Sequence, residues 1–143
     1  MTRITVPSLL ATAMALLAPA DAALAAEAGA HVRPAVIERP AGSTIARITL
    51  TDRAAQRLNI QTAEVTANGD GIAIVPYSAV LYDNAGRTWV YTNPSPLLFM
   101  RHAVSVARVR GTEVELREGP AAGTRVVTTG VPQLYGAEKG VGH

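Results

Sequence analysis

Three histidines, His31, His102 and His143, are the only side chains in this sequence whose ordinary titration lies near neutrality, and there is no cysteine. A hydrolytic site needs a nucleophile, a base and an orienting group held together. His31 falls in a stretch rich in Ala, Pro and Gly, and His143 is the last residue, so neither is expected to be held rigidly. His102 follows Arg101 at the start of an expected strand, where a rim position is its ordinary role. The chain is therefore read as non-enzymatic, with no catalytic residue and no cofactor assigned. Met100 and His102 are two apart, which on a strand puts both on one face, and thioether with imidazole suits soft ions such as copper or silver. Met1 and Met14 lie in the leader, however, and two ligands do not close a site. No metal ligand set is assigned, and a small copper- or silver-handling protein stands as the alternative reading. The absence of cysteine also removes disulfides, thiolate metal sites and an acyl acceptor of the lipoprotein kind.

The elements that would position such residues begin after a leader. Arg3, the apolar stretch from Leu9 to Pro19 and the small-residue exit Ala23-Leu24-Ala25 read as a cleaved secretory signal over residues 1–25, with Ala26 as the overlapping alternative. A membrane span needs about 20 predominantly apolar residues, and Pro7, Pro19 and Asp21 interrupt this stretch. Export without a stable span is the expectation. The formal net charge is +2, carried by arginines scattered singly, which is not a nucleic-acid footprint. Residues 26–43, with Pro34 and Pro40, read as a flexible lead-in. One β domain is expected over residues 44–138, with a tail at 139–143.

Within that domain Thr44 to Leu50 alternates as a strand, and Thr51 can cap a short helix through Leu58 that Asn59 closes. Asn68-Gly69-Asp70-Gly71 is a turn, and the run after it ends at Pro76. Ser78 to Tyr82 and Thr88 to Thr92 form a hairpin around Asp83-Asn84-Ala85-Gly86. Asn93-Pro94-Ser95-Pro96 is expected to break the chain before strands at Ala103 to Val109, Glu113 to Arg117 and Thr124 to Thr129. Gly130 then opens an irregular end in which Leu134 and Tyr135 pack. This spacing predicts a mainly β fold, a small rolled β-barrel with one short helix. Trp89 is the expected core anchor, with Tyr82 and Tyr91 as the aromatic candidates for an exposed contact.

Val75-Pro76-Tyr77-Ser78-Ala79-Val80, Tyr82-Asp83 and Gly86-Arg87-Thr88-Trp89-Val90-Tyr91 resemble the carboxy-terminal part of periplasmic adaptor subunits, or membrane fusion proteins, of resistance-nodulation-division efflux pumps. The likeness continues through Arg101-His102-Ala103-Val104-Ser105-Val106, through Glu118 to Val127, and into Leu134-Tyr135-Gly136-Ala137-Glu138. It implies a membrane-proximal β-roll, a periplasmic location and docking to an inner-membrane efflux transporter. Full adaptors insert a lipoyl-like domain and a long helical hairpin, whereas Val65 to Ile72 leaves room only for a turn. A stand-alone, trimmed version is implied, with an accessory, regulatory or vestigial role and its oligomeric state left open. Tyr82, Arg87, Tyr91, Arg101 and His102 are the expected partner contacts, arginine as a multidentate donor and tyrosine as an amphipathic anchor.

Overall fold

The computed structural model describes residues 33–140. The leader over residues 1–25, together with His31 and His143, lies outside them. The described chain is mainly β. Its strands are β1 (Ala35–Glu38), β2 (Arg47–Leu50), β3 (Gln61–Glu64), β4 (Thr66–Ala67), β5 (Ala73–Pro76), β6 (Leu81–Tyr82), β7 (Thr88–Ser95), β8 (Leu98–Arg110), β9 (Glu113–Glu118) and β10 (Arg125–Thr129). Two helices, α1 (Asp52–Arg57) and α2 (Val131–Lys139), and a 3-10 turn at Tyr77–Ala79 complete it.

The sheet runs β3-β10-β7-β8-β9-β5-β4. Its two ends lie on one continuous segment, because β3 and β4 are separated only by Val65. The Val65 N–H donates to the Thr124 carbonyl at 2.8 Å, and its carbonyl accepts from Gly123 N–H at 2.8 Å. The sheet therefore nearly closes into a barrel, which removes most of its exposed edges. The long strand β8 serves both halves, pairing with β2 and β7 near its start and with β9 after Ser105. Register shifts between Ser105 and Arg108 bend it at the crossing, as bulges do.

Closure explains the apolar doublets. Val90 and Val126 face the interior with Val65, Val75, Val104, Val114 and Leu116. Their neighbours Tyr91 and Val127 face outward, onto a second core with Ile48, Leu50 and Phe99, where α1 supplies Ala54 and α2 supplies Val131 and Leu134. Both faces of β7 and β10 are thus buried, and each such aliphatic side chain contributes about 1.5–3 kcal/mol.

Local chemistry follows expectation in several places. Thr51 Oγ1 accepts the Ala54 N–H at 3.2 Å and caps α1, with Asp52 in the first turn. Asn59 takes a positive φ of 48°. Asn68 Oδ1 accepts from the Asp70 and Ile72 N–H groups and closes the turn into β5.

Three expectations are corrected. The lead-in contains a strand, since β1 pairs antiparallel with β2 from Ala35↔Leu50 to Glu38↔Arg47, and Pro34 and Pro40 merely bound it. The Asn93-Pro94-Ser95-Pro96 segment does not break the chain. β7 continues through Pro94 with a register shift between Thr92 and Ser95, Asn93 Nδ2 donates to the Ser95 and Leu98 carbonyls, and β8 starts at Leu98. The end after Gly130 is a helix, so the described residues hold two helices, of which the sequence predicts only the shorter. Pro132 sits in the first turn of α2, and Gly140 at φ 75° closes it. Val131, Leu134 and Glu138 form its buried side, and an acid at the third position disguises the helical period.

Candidate interaction surface

The β6–β7 hairpin is organised by one carboxylate. The Asp83 N–H donates to the Arg87 carbonyl at 2.9 Å and the Gly86 N–H to the Asp83 carbonyl at 2.9 Å. Gly86 holds φ 74°, a left-handed value that favours glycine. Asp83 Oδ1 accepts the Ala85 and Arg87 N–H groups, each at 2.9 Å. Its Oδ2 accepts Arg87 Nε–H at 2.8 Å and Trp89 Nε1–H at 3.0 Å. Burial opposes ionisation of this carboxyl, but the donors from Arg87, Trp89 and Ala85 outweigh it and hold the group well below the usual carboxylate range. The Asp83 side chain is 4% exposed while that of Arg87 is 67% exposed, so the hairpin fixes one end of the pair and offers the other to solvent.

A stack of cations and rings runs from this hairpin toward the end of α2. The Arg87 guanidinium carbon lies 5.5 Å from the Trp89 ring centre, and that of Arg101 lies 4.4 Å from the same ring. Arg101 also approaches the Tyr135 ring at 5.9 Å, and Lys139 Nζ lies 5.4 Å from it. Such contacts are attractive because the ring face carries negative potential.

Beneath the stack is a buried polar group of three. Tyr91 and Arg101 are paired in register across β7 and β8. Tyr91 Oη donates to Glu138 Oε2 at 2.6 Å. Arg101 Nε lies 2.7 Å from the same oxygen, as an ion pair whose N–H does not point at it. Burial, then the hydrogen bond to and charge of Glu138, push the Tyr91 phenol far above its ordinary range, so it stays protonated as a donor. Arg39 Nη2 donates to the Glu138 carbonyl at 2.7 Å and ties β1 to the end of α2.

This arrangement sorts the residues that sequence named. Tyr82 is 52% exposed, and Arg87 and His102 are exposed, so these three are accessible. Tyr91 is fully buried and Arg101 is 7% exposed; neither is a surface contact, because Glu138 draws both inward. Trp89 is half-buried between two guanidiniums, and Tyr91 fills the core position expected of it. Tyr135 packs as expected, but Glu138 and Lys139 were missed, and the signal that would have found them is the i, i+3/i+4 spacing of Val131, Leu134, Tyr135, Glu138 and Lys139. A shallow depression of about 480 Å³, lined in part by Arg87, Trp89, Ala103 and Ser105, adjoins the hairpin. Among the described residues no three His, Cys, Asp or Glu side chains gather as a metal set, and no helix is long and apolar enough to cross a membrane. None of the protein-family models, curated proteins or solved structures compared with this chain matches it.

Proposed function

We propose that this protein is a non-enzymatic periplasmic module that docks to an inner-membrane efflux transporter, as the membrane-proximal part of an adaptor subunit does. The observation that supports the reading is the β6–β7 hairpin. One buried carboxylate takes four hydrogen bonds within it, so Tyr82 and Arg87 are presented to solvent from a loop that has little conformational freedom left to lose. Arginine and tyrosine are enriched at energetic centres of interfaces. The hairpin also falls within the segment Val75 to Tyr91 on which the resemblance to adaptors rests.

Docking is tested by capture from inner-membrane extract, with wild type compared against Arg87→Ala and Tyr82→Ala at matched stability. Recovery of a many-span efflux transporter, reduced in both variants and at high salt, is the expected result. Equal recovery from all three proteins, or no transporter at all, overturns the reading.

A further inference from the structure

We infer that the docking face extends beyond the hairpin to the last turn of α2, and that the partner segment it takes is acidic and extended. The inference rests on the docking reading above and adds the partner's chemistry. Arg87, Trp89, Arg101, Tyr135 and Lys139 form one continuous alternation of cation and ring. Arg101 is buried with its counter-charge Glu138, whereas Arg87 pairs with the buried Asp83 yet keeps 67% of its own side chain exposed, and Lys139 has no carboxylate partner among the described residues. Both ends of the alternation, Arg87 and Lys139, are exposed. Among the described residues no carboxylate lies within ion-pair distance of Lys139 or Arg39, and Arg39 also reaches this corner through its bond to the Glu138 carbonyl. A helix carboxyl end ordinarily repels anions. Here its carbonyls are occupied by Arg39 and by the Gly140 N–H, and Lys139 stands beside them.

The shape of this charge favours a peptide over a lipid surface. The exposed cations Arg87 and Lys139 stand at the two ends of a single line of rings, and the buried carboxylates Asp83 and Glu138 offset part of the charge along it. A net charge of +2 over 143 residues provides little attraction for a membrane of closely spaced phosphates. A chain bearing spaced carboxylates can pair with Arg87 at one end and Lys139 at the other, while its backbone and apolar groups lie on Trp89 and Tyr135.

Trp89 is the only tryptophan of the chain, so its emission reports this face directly. The full chain is titrated with a synthetic peptide of alternating Glu and Ser, with a Lys-Ser peptide as control and with vesicles rich in an anionic lipid. A saturable change in Trp89 emission with the Glu peptide alone is expected, suppressed at high salt. Arg87→Gln and Lys139→Gln should each weaken it by about twofold to fivefold. Lys139→Gln touches no hydrogen bond of the hairpin, so it keeps the test valid if Arg87→Gln loosens the fold. No change with the Glu peptide, an equal change with the Lys peptide, a response to vesicles alone, or an unaffected Lys139→Gln overturns the inference. Because no transporter enters this titration, its failure is separate from failure of the docking reading, which the capture experiment decides.

Discussion

Glu138 occupies a helix position where an apolar side chain would ordinarily pack, and it is tolerable there because Arg101 and Tyr91 converge on one of its oxygens. Breaking a buried pair by removing one partner leaves an uncompensated charge. Glu138→Leu should therefore cost about 3–5 kcal/mol in urea denaturation. Combining it with Tyr91→Phe and Arg101→Met should recover most of that loss, because all three polar groups then leave together; a triple variant as unstable as the single one would refute this account. Asp83 yields a pH prediction. Its folded pKa lies below the ordinary 3.8, so as pH falls the unfolded chain takes up the proton first. The stability it contributes is complete above about pH 4 and is lost progressively as pH falls toward the folded value. Asp83→Asn should lower stability at pH 7 and flatten the acid limb of a urea-midpoint profile between pH 7 and 2.5. Superimposable acid limbs would exclude the carboxylate as the organiser of the hairpin.

At the scale of elements, what the sequence made legible was local. The Thr51 cap, the Asn68 turn and the Asp83–Gly86 hairpin each depend on side chains bonding within a few residues, and each was readable from those residues alone. What escaped depended on partners far along the chain. Alternation places Trp89 and Tyr91 on one side of β7, but only closure of the barrel and the arrival of α2 decide that Tyr91 is buried and Trp89 half-covered. The helix itself was hidden by Gly130, Gly136 and Glu138, which read as loop and solvent-facing residues until Arg101 supplies the counter-charge. Gly130 is the hinge between β10 and α2, at φ 93°, and a Cβ there would run into Ile60 Cδ1. Gly130→Ala should cost about 1–3 kcal/mol and shift the thermal midpoint down. A midpoint equal to wild type would mean that the entry to α2 can relax at no cost.

The described residues together form a nearly closed barrel-shaped sheet with a second core on its outer side, and the accessible Arg and Tyr side chains at the β6–β7 tip stand on a network that the fold does not need for closure. That separation between a closed scaffold and a rigid presented tip was only half legible beforehand. Of the five residues expected as contacts, Tyr82, Arg87 and His102 are accessible, while Tyr91 and Arg101 are buried by a helix that the sequence did not reveal. The docking claim is tested most directly by placing a photo-crosslinking amino acid at Tyr82 in cells, with the same residue at Val109 as an exposed control in β8 near the β8–β9 turn. The account predicts that Tyr82 yields an adduct to a many-span efflux transporter and that Val109 does not. An adduct of equal yield from both positions, or none to a transporter from Tyr82, would contradict it.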